Sequence, residues 1–266
     1  MTRKTGPDQV DAAGNVTSDF HIDWGLHGLL RVVSGHDFSN VLDIGAGAGE
    51  HKRFLELFGK QVYSVDILKH ADYVGDFMEV ALDRRFDLIW CSHVLEHQRN
   101  IGLFLDKISG ALTDDGVLAI IVPTHPREVM ISGHLSSWSI PLLCYNLIMA
   151  GFDCANAAIM DTYELSLIVR KRPAVHNELH KPSAHGADAG MEFAHLKQFF
   201  PFDAGQGVAI SGPGQVNWDH PFDYALPQVR GTDNQLIRIY SKNLKQYPDF
   251  TPQISCPSGR CVINPE

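Results

Sequence analysis

The residues of this chain that could do chemistry cluster between positions 41 and 134. VLDIGAGAGE (41–50) carries an apolar, partly β-branched run with Asp43 inside it, then a turn through Gly45, Ala46, Gly47, Ala48 and Gly49. Glycines at a strand-to-helix turn let bare backbone approach a ligand where a Cβ would collide. Downstream, QVYSV ends at Asp66 with Ile67 beside it, 17 residues after Gly49. Asp76 precedes Phe77, and FDLIWC runs into Cys91, Ser92 and HVLEH, His93 to His97. An acid about 20 residues beyond such glycines can accept hydrogen bonds from both ribose hydroxyls. A second acid followed by an apolar side chain suits the amine and face of an adenine. His125 and His134 complete the set, because histidine is the usual general base near neutral pH.

The elements that must position these groups follow from the apolar spacing. Val41–Ile44, Gln61–Val65, Tyr73–Gly75, Phe86–Cys91 and Val117–Val122 read as strands, with helical spacing at 54–58 and 101–112. Asp114-Asp115-Gly116 reads as a turn. Repeated strand–helix units at short intervals predict an α/β fold: a Rossmann-like, doubly wound and mainly parallel sheet. Ile140–Ala150 reads as a helix, then Phe152–Ile159 and Leu165–Val169 as an antiparallel edge pair. Phe20–Val33 reads as a helix ahead of the first strand, Phe193–Phe200 as a short helix, and Gln235–Tyr240 as a strand. The expected organisation is a loose leader (1–18), a cofactor-binding domain (19–172) and an irregular C-terminal extension packed on it (173–266).

That order of motifs resembles the class I S-adenosylmethionine-dependent methyltransferases, in particular the large small-molecule group, from about Val41 to Arg170. HLSSWSIPLLCYNLIMAGF (134–152) is similar to that family's helix ending in AGF. The resemblance implies S-adenosyl-L-methionine as cofactor. Asp43, Gly45, Ala46, Gly47 and Gly49 would hold its amino-acid end. Asp66 with Ile67 would hold the ribose side, and Asp76 with Phe77 the adenine. Cys91, Ser92 and His93 would border the sulfonium and the acceptor. His93, His125 and His134 are the candidate bases.

HVLEH also matches HxxEH, the inverted zincin motif, which needs a helix bearing both histidines. Here the first histidine directly follows a buried strand, so a zinc hydrolase is not expected. HVLEH is similar, too, to the ExxEH of some 2′-O-methyltransferases that use a divalent ion. His93 replaces the first acid, and His134 is a distant candidate ligand. The favoured reading assigns no metal and has Glu96 and His97 bonding to backbone or capping the next helix.

With 22 Lys plus Arg against 31 Asp plus Glu, the net charge of −9 disfavours a broad grip on nucleic acid. The odd count of five cysteines, without a secretory-type leader or an apolar span of membrane length, reads as soluble and cytoplasmic. The expected partner is a small methyl acceptor, with a sugar or glycan precursor hydroxyl as the specific expectation and the oligomeric state open. The alternative from another class is a non-catalytic scaffold or sensor that keeps the cofactor pocket.

Overall fold

The computed structural model describes residues 9–10, 14, 16–126, 129–172, 194–203, 217, 222–230, 235–257 and 259–266. The chain forms two compact units: 1–77 with 218–266, and 78–217. The division falls after Phe77 and before Trp218 rather than at the expected boundary near 172.

The first unit carries strands β1 (Gln9–Val10), β2 (Val16–His21), β3 (Asn40–Ile44), β4 (Gln61–Asp66) and β5 (Tyr73–Val74), with helices α1 (Leu26–Gly35) and α2 (Glu50–Glu56). β3 pairs with β4 and β4 with β5, all parallel, so the ends of β3 and β4 open on the same side. Val41, Leu42 and Ile44 are buried, as the continuous apolar run of a parallel strand demands. α2 starts at Gly49, whose φ is +78°, and places Glu50 in its first turn, where the helix dipole favours an acid. Phe54 of α2 packs edge-on against Phe20 and against Phe58, at 5.4 and 5.3 Å between centroids. Burying each such ring stabilises the unit by about 1.5–3 kcal/mol.

Two expectations change here. Phe20 lies in β2, not in a helix, and helix α1 starts at Leu26. Residues 16–18, expected in a loose leader, are part of that strand. The partner that orders β2 comes from the far end of the chain. β11 (Gln235–Ser241) pairs in parallel with β2 on one side and with β13 (Gly259–Pro265) on the other, while β10 (Asp223–Ala225) and β12 (Gln253–Ser255) form a separate parallel pair. β11 alternates buried and half-buried residues, the period-two signature of a strand. Arg238 grips Asp19 through two bonds of 2.6 and 2.8 Å, and the buried Gln235 amide donates to Ser18 Oγ. The residues described between 222 and 266 thus belong with the N-terminal strand.

The second unit holds β6 (Phe86–Ser92), α3 (Ile101–Ala111), β7 (Leu112–Pro123), α4 (Ile140–Met149), β8 (Phe152–Asp161) and β9 (Glu164–Lys171). β6 and β7 are parallel, while β9 runs antiparallel to both β7 and β8 and lies between them. This matches the mainly parallel sheet expected, with an antiparallel last strand. The turn expected at 114–116 survives as an irregularity within β7. Phe86 faces Leu112 but Leu88 already faces Val117, so the extra residues bulge out. Val117 to Val122 are all buried because both edges and both faces of that strand are covered. The helix expected over 193–200 is a 3-10 segment, Ala194–Phe199. The Pro-, Gly- and His-rich stretch 175–190, which reads as a linker, and Trp218 lie outside the described residues.

Candidate functional site

Each unit carries one constellation. In the first, the chain leaves β3 through Gly45, Gly47 and Gly49 with φ of +72°, +54° and +78°, the left-handed region that glycine alone adopts without strain. The turn is fastened from β4. Gly45 N–H donates to Val65 O at 2.9 Å, and Gly47 N–H donates to Asp66 Oδ2 at 2.8 Å. Asp66 Oδ1 accepts from Leu68 N–H, and the His70 ring bonds to Gly47 O at 2.6 Å. Asp66 therefore braces the loop through both carboxylate oxygens. A Cβ built on Gly47 or Gly49 meets nothing within 4 Å. The space beside these two glycines is therefore open.

Asp43 stands behind it, 1% exposed, and its Oδ2 has no hydrogen-bond partner among the described residues. Burial pushes its carboxyl up to about 7; Lys52 pulls the other way and Asp66 adds to the rise. A buried carboxylate with an orphaned oxygen beside a glycine turn fits the α-ammonium of an amino acid. Ile67 is 76% exposed, whereas Phe77 is buried and Asp76 exposed. Next to Asp66, the exposed apolar side chains are Ile67 and its neighbour Leu68. His70 had no motif to mark it, and only its bond to Gly47 O brings it to the turn.

In the second unit β6 ends with buried Cys91 and Ser92, then His93 turns with φ of +56°, an uncommon conformation for a non-glycine residue. Its N–H bonds to Ile121 O, and its ring lies between two buried acids. Nε2 is 3.1 Å from Glu164 Oε2 and Nδ1 is 3.5 Å from Glu96 Oε1. Burial opposes charging this imidazole, but Glu164 and Glu96 outweigh it and raise its pKa to about 9. The two acids favour the protonated ring, which weighs against His93 as the base. Glu164 opens β9, opposite Pro123, and that strand pairing brings it to His93.

Leu95–His97 form one 3-10 turn, not the α-helix an inverted zincin motif requires. His97 Nδ1 bonds to Gly133 O at 2.8 Å, as the backbone-bonding expectation has it. The Glu96 carboxylate caps no helix: α3 begins after Asn100, with no side-chain cap. His134 packs its ring against His97 at 4.9 Å and sets Nδ1 3.5 Å from His125 Nε2. His125 also lines an open cleft of about 350 Å³ with Thr124, Trp138, Ser139, Asp161 and Leu165. The Trp138 indole N–H there is buried and has no partner among the described residues.

Residues 26–148 match the family described as a methyltransferase domain. That match spans somewhat less than half of the chain and supports a class I S-adenosylmethionine-dependent methyltransferase domain there, with S-adenosyl-L-methionine as its cofactor. Among solved structures, it is similar to a Burkholderia thailandensis 1,6-didemethyltoxoflavin N1-methyltransferase with bound S-adenosylhomocysteine. That pair shares 20% identity over 55% of this chain and 77% of the other, with a TM-score of 0.48. The N-methyltransferase NodS of Bradyrhizobium japonicum, also with S-adenosylhomocysteine, gives 17%, 55%, 85% and 0.44. The mitomycin 7-O-methyltransferase MmcR gives 17%, 55%, 54% and 0.44. No curated protein sequence matches the chain. Among the described residues no helix is long and apolar enough to cross a membrane.

Proposed function

We propose that this enzyme methylates a hydroxyl of a small hydroxylated acceptor, a sugar or glycan precursor, in the cytoplasm. The observation that carries the acceptor class is the cleft of the second unit. It offers an aromatic face at Trp138, a carboxylate at Asp161 and an imidazole at His125, within a volume suited to a small molecule. An aromatic plane with polar groups beside it is complementary to a ring that carries hydroxyls on its edge.

On the cofactor side, the glycine turn would take the amino-acid end, with Asp43 paired to its ammonium. Asp66 would turn its free lone pairs to the ribose, and Ile67 would cover the base beside Asp76 and Phe77. The assignment of Cys91 and Ser92 to the cofactor rests on the sequence resemblance alone. S-adenosylmethionine supplies an activated methyl that departs from its own leaving group. The protein's task is then to align the acceptor, exclude water and receive a hydroxyl proton. His125 is the base we favour, because it lines the cleft. His134 lies behind it, and both His93 ring nitrogens face carboxylates.

The test is incubation of the purified enzyme with methyl-labelled cofactor and a panel of sugars, sugar nucleotides and amines, read by mass spectrometry. Label on a hydroxyl oxygen of a sugar supports the reading, and label confined to amines overturns it. Tight binding of S-adenosylhomocysteine with no transfer to any metabolite pool favours a scaffold or sensor instead.

A further inference from the structure

Glu96, His97 and His134 each bring one ligand atom within 4.8 Å of the other two. The Glu96 side chain is completely buried, and neither carboxylate oxygen makes a hydrogen bond of good geometry among the described residues. Leaving such a group unsatisfied is costly, and a carboxylate more so than a neutral one. Its two neighbours, His93 Nδ1 at 3.5 Å and His97 Nε2 at 3.7 Å, are too far for good hydrogen bonds. Glu164 is buried nearby on the far side of His93, so two buried carboxylates share at most one imidazolium. The cluster is short of positive charge whichever way His93 titrates.

The histidines are arranged to supply lone pairs. His97 gives its Nδ1–H to the carbonyl of Gly133, which leaves Nε2 unprotonated on the side of Glu96 in the neutral ring. A ring hydrogen bond to a backbone carbonyl is the usual device for orienting a metal-ligating histidine. The carbonyl is itself fixed. His134 N–H closes a turn onto Ile131 O, and Gly133 takes φ of +85° in that turn. Leu135 N–H then ties the same turn to the backbone oxygen of Glu96 at 2.7 Å. The three side chains are thus held by one short hydrogen-bonded frame, although His134 is 37 residues from His97 in sequence. His125 Nε2 lies 3.5 Å from His134 Nδ1.

We propose that Glu96, His97 and His134 bind a divalent transition-metal ion of the zinc type, with open coordination positions on the solvent side. Two imidazoles and one carboxylate suit zinc, cobalt or manganese and exclude magnesium and calcium, which favour all-oxygen shells. Metal–ligand bonds near 2.0–2.2 Å set neighbouring ligands about 3.3–3.6 Å apart. The observed separations, 4.8 Å or less, lie close to that value. His97 is half exposed, which gives the ion a way in and leaves room for water or an acceptor oxygen. With the ion in place, His134 becomes a ligand and leaves the set of candidate bases. The inference stands on the second unit's side chains and is independent of the methyl acceptor.

The experiment is zinc and cobalt titration of the full-length, chelator-treated protein, read by calorimetry and by the visible absorption of bound cobalt. The expected result is one ion per chain with sub-micromolar zinc affinity, no response to magnesium, and visible cobalt bands. His97→Ala and His134→Ala should each weaken zinc by tenfold or more, and Glu96→Gln, which keeps shape and fold, should do so as well. Absence of stoichiometric zinc uptake overturns the proposal. So does unchanged affinity in Glu96→Gln together with either histidine variant, because the ion would then be held by other histidines. Affinity for S-adenosylhomocysteine in the same samples reports folding separately from metal binding.

Discussion

The two constellations are built from opposite materials. The glycine turn of the first unit is made of main chain: its donors are N–H groups, and its one deep acid, Asp43, is shifted by burial. The second unit's cluster is made of side chains, and His93 is shifted upward against burial because acids surround it. Backbone cradles recognise a constant shape, whereas side-chain clusters are easily rewritten by substitution. A fixed cofactor suits the first arrangement and a variable acceptor the second.

Separating turnover from cofactor affinity tests that contrast most severely. His125→Ala is expected to lower turnover about a hundredfold to ten-thousandfold. Its affinity for S-adenosylhomocysteine should stay within about twofold by calorimetry. Equal losses in both would break the division of labour.

The next effect is on stability. With its pKa raised to about 7, Asp43 contributes stability that is full below its unfolded value and lost as pH rises through 7. Asp43→Asn should therefore gain stability relative to the parent between pH 4 and pH 8, by up to roughly 4 kcal/mol. The same variant should bind S-adenosylhomocysteine more weakly. Urea unfolding at the two pH values checks the first expectation and calorimetry the second.

His27 has the opposite sign. Burial lowers its pKa to about 4, so its contribution is present above pH 6.5 and lost as pH falls through 4. The loss amounts to roughly 3 kcal/mol and should be removed from the acid limb by His27→Phe, again in urea unfolding. Over pH 4 to 6.5 the two groups offset one another, so each variant should expose the slope of the other.

The smallest effect sharpens the cradle itself. Asp66→Asn weakens two charge-assisted bonds to backbone N–H, and should cost about 1.5–3 kcal/mol in cofactor binding. It should leave zinc binding by the second unit unchanged.

Much of the first constellation was legible in the chain because its parts are local. Gly45 to Gly49 follow their strand directly, and Asp66 ends the next strand, so spacing alone puts them at one end of a parallel pair. The resemblance to class I methyltransferases adds Asp43 by the same adjacency. The second constellation was legible only as loose letters. HVLEH, His125 and His134 could be named as candidates, but not Glu164, which nothing local distinguishes from a surface acid. The strand at residues 16–18, expected in a loose leader, was hidden for the same reason, since β2 owes most of its pairing to β11, more than 200 residues away.

By itself, then, the sequence determined the alternation of strands and helices, the bare turn after β3 and the acid after β4, because burial patterns and glycine conformations are local properties. Tertiary structure alone decided which side chains meet. Laying β9 between β7 and β8 carries Glu164 to His93, and the frame at Gly133 carries His134 to Glu96 and His97. Those meetings span tens of residues, and no spacing along the chain encodes them.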